Sequence, residues 1–476
     1  MITYQNYING KWVAPHSGEY STLTNPADLS DVFARAPLSD EQDVADAVAA
    51  CVQAEASWAA TPAPKRGRIL YKLADLLEAD ADNMAAILTR EEGKTLAEAR
   101  GEVMHSATEC RYMASEAFRL TGTTYPSETP GGMVCHVREP IGTVAAINPW
   151  NFPVVTPIRK IAPALACGDT VLFKPAQNTP GTAVRLMELF IEAGVPDGVV
   201  NLVCGSGSKI GDLICDAADV KGITFTGSTK VGRHIAERAG KRIAKLQLEM
   251  GGKNPAIVWD PKDMAFCATE IAKSAFGGAG QKCTAISKVI VKAGQEQELV
   301  ALLIDFAKGM VMGNGAEKGV NLGPLATKQQ FDSVCSYIRL ARETATVAYG
   351  GEISDMSKGY FVSPTIVTGI DRHHRLAKEE VFGPFLSILA VDTFEEAMAA
   401  ANDVEYGLAS SIFTGDTALA REYVLKIKSG MAHVNEQTTV MGHVPFGGVK
   451  NSGFGAYSNA DTAKDFYMND KVVYFA

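Results

Sequence analysis

The sequence predicts an α/β protein built on parallel sheet, and three observations carry that prediction. From Ile141 onward the short apolar runs TVAAINPW, TVLFKPA, GVVNLVCGSG and GITFTGS alternate with stretches of helical periodicity, the pattern of βαβ units. A second such region starts near Gly252 and runs to about Lys450, with strand-like segments PAIVW, SKVIVKA and FLSILAV. The chain, at 476 residues, is longer than one hydrophobic core normally organises, so two or more domains are expected.

Ahead of the strands, two amphipathic helices are expected near 40–60 and 65–92; the second carries Ile69, Leu70, Leu73, Leu76, Leu77, Met84, Ile87 and Leu88 at helical spacing. Pro62 and Pro64 fit a loop or helix start before it, and Gly93 offers its C-terminal stop. Between Thr121 and Pro140 the composition turns to Gly, Pro, Thr and Ser and then to GGMVCHVREP, which reads as a projecting hairpin. The tail KDFYMNDKVVYFA ends in a strand-like run. With no internal repeat or low-complexity linker, a boundary near Gly251–Gly252 rests on composition and on where the reactive residues fall.

A formal net charge of -9, with no dense Lys/Arg cluster, argues against nucleic-acid or anionic-membrane partners and for a small molecule. The N-terminal MITYQNYINGKW lacks a basic segment followed by an apolar stretch, and no window reaches about eighteen apolar residues, so a cytoplasmic protein is expected. Nine cysteines without CxxC or Cys/His spacing indicate neither a disulfide framework nor a zinc site, and no metal is expected. The adjacent His373 and His374 read as a solvated loop.

Cys283, in GGAGQKCTA, is the most informative residue. A thiol attacks carbonyl carbon well only as thiolate, and the small neighbours leave room for substrate; the alternative is a buried structural thiol. Glu249, in QLEMGGKNP, has apolar flanks that raise a carboxyl pKa toward that of a useful general base, whereas an ordinary Glu is solvated. Asn151, in NPWNFP, is an amide donor in a stiff loop, as an oxyanion site requires, or a turn cap. FTGSTKVG follows a strand and opens a helix, so Gly227 and Ser228 amides can face a pyrophosphate; the run from Gly205 to Gly211 is a second glycine-rich turn of the same kind, weak evidence when alone. Lys174 at a strand end suits ribose hydroxyls or phosphate. EEVFGP offers Glu380 for a ribose and Phe382 for a flat ring, and VPFGGVKNSGFG places Phe446 in a glycine-rich loop; each is ordinary core or loop taken by itself.

Together NPWNFP, LFKPA, FTGSTKVG, LEMGGKNP, GQKC, EEVFGP and PFGGVKNSG resemble the NAD(P)-dependent aldehyde dehydrogenase superfamily, in that family's order and across nearly the whole chain. The resemblance implies Cys283 as nucleophile, Glu249 as general base, and Asn151 with the Cys283 backbone amide as oxyanion hole. Lys174, Ser228, Glu380 and Phe382 match cofactor-contacting positions, with Trp150 beside that pocket. It also implies a five-stranded variant Rossmann cofactor domain (1–120 and 141–251), an α/β catalytic domain (252–450), a small β oligomerisation element (121–140 and 451–476), and a homodimer or homotetramer. Glu249 favours hydrolysis of the acyl-enzyme over transfer to coenzyme A. A non-catalytic relative and a thioesterase are the readings from other classes; the complete set Asn151, Glu249 and Cys283 opposes the first, and the phosphate-facing turns oppose the second.

Arg159 lies about two turns along a helix continuing from Pro153, toward the substrate tunnel, where it suits a distal carboxylate; the alternative is an arginine paired with a structural acid. Succinate-semialdehyde dehydrogenases resemble this chain at Arg159, while QLEMGGKNP and GQKCTA look more like the 2-oxoglutarate-semialdehyde (2,5-dioxopentanoate) enzymes. That substrate is therefore expected first, succinate semialdehyde second, aromatic or betaine-type aldehydes last. Gln177, where NAD-specific relatives often carry Glu, removes an electrostatic bar to NADP; with Lys174 and Lys209 near, use of both NAD and NADP is expected.

Overall fold

The structure is a computed structural model, and it describes residues 1–353 and 358–476. Five parallel strands form the middle of an eight-stranded sheet, in the spatial order Lys245–Glu249, Val220–Thr226, Thr143–Ile147, Thr170–Lys174, Val200–Leu202. Four of these are the apolar runs read from the sequence. They are apolar because helices cover both faces: Thr143–Ile147 and Thr170–Lys174 are buried at every residue. The antiparallel strands Asn6–Ile8 and Lys11–Val13 complete one edge.

The second sheet has seven strands, in the order Thr346–Tyr349, Thr365–Thr368, Phe385–Val391, Ile286–Lys292, Asn254–Trp259, Ala409–Thr414, Met431–Val434; all pairs but the first are parallel. The hairpin Thr123–Tyr125 and Met133–Pro140 pairs through its long strand with the C-terminal Met468–Phe475. The segment 451–476 is therefore divided. Its strand Gly453–Phe454 pairs antiparallel with Leu248–Glu249 and closes the open edge of the first sheet, and only the later strand joins the hairpin.

The first expected helix is Glu41–Ala60, started by an Asp40–Asp43 capping box. The region expected to form one helix over 65–92 is two, Ala63–Ala79 and Ala81–Glu92, broken at Asp80. Asp80 leaves helical geometry, at φ -94° and ψ 7°, while its carboxylate accepts from Arg185 Nε and Nη2, both at 2.9 Å, and from Asn83. Gly93 ends the second piece in the left-handed region at φ 99°. The helix Leu96–Glu116, which the sequence reading did not identify, follows at once from a Thr95–Glu98 capping box and packs along Val155–Cys167. Among the described residues no helix is long and apolar enough to cross a membrane.

Candidate active site

The carboxyl ends of the first sheet's strands and the loops of the second enclose a cavity of about 430 Å³. Asn151, Arg159, Glu249, Cys283 and Phe446 line one part of it; Trp150, Gly227, Ser228, Glu380 and Phe382 line the other.

Glu249 is the last residue of its strand, in register with Thr226, and its carbonyl accepts from Gly227 N at 3.1 Å. Its side chain is buried, with Oε1 lacking a hydrogen-bond partner among the described residues. Burial raises its pKa, and the nearby Lys160 and Arg159 charges oppose that rise. Lys160 Nζ lies 2.5 Å from Thr226 Oγ1, and burial drives its own pKa down to about 7.

Cys283 follows a tight turn in which Gly278, Ala279 and Gly280 take φ of 61°, 52° and 68°. A Cβ on Gly280 would stand 2.0 Å from the carbonyl oxygen of Gly383, so only glycine lets this loop meet the Glu380–Phe382 loop. Asn254 Nδ2 fixes the Cys283 carbonyl at 2.7 Å. Burial and the Glu249 charge push the thiol well above its usual range, against Arg159. The thiolate is thus disfavoured at this sulfur.

Two buried charges position Asn151. Lys94 Nζ donates to the Asn151 carbonyl and to Glu102 Oε2, each at 2.7 Å, and stands 4.5 Å from the Phe152 ring centroid. Glu102 Oε1 accepts from Val154 N at 2.8 Å and Val155 N at 3.1 Å, which caps the helix carrying Arg159. Asn151 Nδ2 donates one N–H to Gln281 O at 2.9 Å, tying its loop to that of Cys283. The Cys283 backbone N–H has no acceptor among the described residues.

On the other side Ser228 caps the helix Thr229–Gly240, its hydroxyl accepting from Val231 N at 3.4 Å. Glu380 Oε1 accepts from Gly252 N at 2.9 Å, and burial lifts its pKa to about 7. Phe382 sits at φ 56°, in a region costly for a bulky side chain, and meets Trp150 edge-on with centroids 5.7 Å apart. Four residues read from the sequence lie outside the cavity lining, at the ends of the strands Thr170–Lys174 and Val200–Leu202. Lys174 is buried, donates to Pro175 O at 2.9 Å, and burial brings its pKa down to about 8. Gln177 is exposed, Gly205 packs on Ile210, and Lys209 is held by Glu19 at 3.2 Å.

Arg159 reaches the cavity wall, but not with a free charge. Its Nη2 is 2.5 Å from Glu109 Oε1 and its Nε 3.2 Å from Oε2, and its guanidinium lies 4.3 Å over the Phe446 ring. The paired arginine weighed as the alternative is thus what the structure contains, in the cavity lining. Sequence reasoning missed Glu109, His105 and Lys160. The first two stand four residues apart on a helix, a spacing that places them on one face.

A sequence model described as the aldehyde dehydrogenase family matches residues 12–473. The chain belongs to the aldehyde dehydrogenase family. Such a protein is an NAD(P)-dependent oxidoreductase acting on aldehydes, and the α/β fold is the one its sequence predicted. This aldehyde dehydrogenase is 41% identical to an alpha-ketoglutaric semialdehyde dehydrogenase of Bacillus subtilis, over 99% of the chain and 98% of the relative. It is 39% identical to a 2,5-dioxopentanoate dehydrogenase of Saccharolobus solfataricus, over 100% and 99%. Among solved structures, an E. coli NADP dependent enzyme superposes with TM-score 0.96 at 33% identity, covering 100% of this chain and 98% of that one. A Staphylococcus aureus betaine aldehyde dehydrogenase in complex with NAD+ does so with TM-score 0.96 at 32% identity, covering 99% and 94%.

The residues present fit a dinucleotide. The helix Thr229–Gly240 turns its positive end toward the cavity, and its Ser228 cap serves only Val231. Lys174 is a buried cation whose only hydrogen bond among the described residues is to a neighbouring carbonyl.

Proposed function

We propose that Cys283 is the nucleophile, Glu249 the general base and Asn151 with the Cys283 N–H the oxyanion donors in oxidation of an aldehyde bearing a distal carboxylate. The preferred substrate is 2-oxoglutarate semialdehyde, then succinate semialdehyde. The observation that carries this reading is the meeting of a thiol, a buried carboxyl and unpaired donors in one cavity whose far wall holds Arg159; the names of the two relatives support the substrate class.

Glu249 takes the thiol proton as sulfur attacks the aldehyde carbon, and the electron pair moves to the carbonyl oxygen, where the Cys283 N–H and the remaining Asn151 N–H stabilise it. Lys174, Ser228, Glu380 and Phe382 would hold a dinucleotide, which when bound would supply an acceptor for the hydride that leaves the carbon. The acyl group then remains on Cys283 as a thioester. Glu249 deprotonates the water that cleaves it, and the carboxylate product leaves. The hairpin sheet exposes Tyr125, Met133, Val472, Tyr474 and Phe475, and we assign it as the contact of a homodimer or homotetramer.

Arg159→Leu is expected to lower kcat/KM for 2-oxoglutarate semialdehyde at least about a hundredfold, as loss of a buried charged contact does, and to lower that for pentanal far less. Equal losses on both substrates would remove the carboxylate from the reading.

Use of both cofactors is supported by Gln177, which brings no negative charge to the ribose, and by Lys209. The exposed Lys209–Glu19 pair contributes about 0–1 kcal/mol, so Lys209 is free to turn to a 2′-phosphate. The kcat/KM ratio for NAD+ over NADP+ is expected to stay within about a thousandfold of unity and to move toward NADP+ in Glu19→Gln, whose amide leaves Lys209 unneutralised. A ratio outside that range contradicts dual use.

A further inference from the structure

The far wall of the cavity carries a charge imbalance that Arg159 cannot resolve. Arg159 and Glu109 are both buried and both charged: burial raises the Glu109 carboxyl, but Arg159 and His105 outweigh it and hold the pKa to about 2. Together the pair is neutral. A substrate carboxylate placed against Arg159 would bring a net negative charge into a water-poor place, and an uncompensated buried charge is costly.

His105 is placed to supply the missing positive charge. It stands on the helix Leu96–Glu116, lines the same cavity, and leaves 31% of its side chain exposed. Its Nε2 is 3.0 Å from Glu109 Oε1, the oxygen that also receives Arg159 Nη2 at 2.5 Å and Asn459 Nδ2 at 3.0 Å. A carboxylate only accepts, so Nε2 carries a hydrogen and the tautomer is fixed. That leaves Nδ1 as the ring's proton-accepting atom, and it has no hydrogen-bond partner among the described residues. One carboxylate oxygen thus anchors three groups, and two of them, His105 and Arg159, come from different helices and line the same cavity.

We infer that His105 is a second binding residue for the distal carboxylate: Nδ1 takes up a proton from solvent as the substrate binds, and the imidazolium and Arg159 together hold the carboxylate while Glu109 holds both. This rests on the proposed substrate class and adds to it the residue that neutralises the substrate. The charged or titratable groups facing this part of the cavity are Glu109 on the same helix, Arg159 on Val155–Cys167, and Glu249 and the Cys283 thiol across the cavity; the loop whose Gly442 packs on Glu109 also carries Glu436 and His443, both exposed. Of these, Glu109 alone is hydrogen-bonded to the ring.

The test compares KM and kcat for 2-oxoglutarate semialdehyde and for pentanal between pH 6.5 and 8.5. Binding coupled to one proton weakens by up to about tenfold per pH unit once the imidazole is neutral. In the parent, KM for the carboxylated aldehyde is therefore expected to rise about tenfold more than KM for pentanal over that interval. In His105→Gln, whose amide still donates to Glu109 but takes no proton, that excess disappears. Its KM for the carboxylated aldehyde at pH 6.5 is about tenfold above the parent's, with kcat changed less than about threefold. A parent whose two KM values follow the same pH course overturns the inference without any variant. So does a His105→Gln enzyme that keeps the parent's KM ratio at pH 6.5 while Arg159→Leu loses it, and in that case the substrate class stands. If neither substitution changes the ratio, the substrate class itself fails.

Discussion

Cys283→Ser is expected to lower the rate of aldehyde oxidation by at least about 10⁴-fold, the order seen when the nucleophile of a covalent mechanism is removed. In the proposed mechanism sulfur would react because it is polarizable and because Glu249 would take its proton; the thiol is hard to ionise, pushed up by burial and by that same carboxylate. A hydroxyl ionises with far more difficulty, and no cation is hydrogen-bonded to position 283 among the described residues to help it. The exchange changes one half-buried atom, so the melting temperature is expected to move by less than about 3 °C, which separates lost chemistry from lost folding. Among the described residues no other cysteine lines the cavity, so none stands where it could take over. The check is stopped-flow appearance of reduced cofactor in the variant beside a melting curve. Substantial oxidation in a folded Cys283→Ser protein would end the covalent account.

What the sequence made legible were features whose signal is local. The strands Thr143–Ile147, Thr170–Lys174 and Val220–Thr226 announce themselves as apolar runs because both faces are covered. Gly93 marks a helix end because its left-handed φ favours glycine. The strand Ala409–Thr414 was hidden by its serines. They are buried, and their hydroxyls are satisfied in the core, Ser410 by Tyr423 at 2.6 Å and Ser411 by the Glu436 carbonyl at 2.5 Å. The edge strand Gly453–Phe454 was hidden for another reason: two residues carry no periodicity, and their partner Leu248–Glu249 is about two hundred positions away.

The site divides along the same line. Cys283, Glu249 and Asn151 stand in motifs that chemistry makes readable, with small, apolar or rigid neighbours in the chain. The state of Arg159 was not readable, because its partner Glu109 reaches it from fifty positions away and is itself held by His105 and Asn459. Lys94 and Glu102, which hold the Asn151 loop, look like ordinary surface charges in sequence and are buried in the fold.

Glu249→Gln is expected to separate the two halves of the reaction. With the carboxylate gone, hydrolysis of the thioester loses its base, and steady-state turnover falls by about 10³-fold, within the range for removal of a general base. Thioester formation is affected in two directions. The proton acceptor is lost, but so is a negative charge that disfavours the thiolate, so the Cys283 pKa falls and alkylation by iodoacetamide proceeds at lower pH than in the parent. At pH 9 the variant should therefore release about one equivalent of reduced cofactor per active site in a burst, then almost stop. As the proposed base, Glu249 would act in the parent only when ionised, and its pKa is raised, so turnover is expected to fall as pH drops through that raised value rather than at the ordinary carboxylate range. The same shift has an opposite sign for stability. Burial makes the ionised form costly in the folded state, so the parent loses stability as pH rises from the unfolded carboxyl's pKa to the folded one, while the glutamine variant does not. The variant should melt at the same temperature as the parent in acid and above it at pH 8. A burstless variant that alkylates at the parent's pH would show that Glu249 serves neither step.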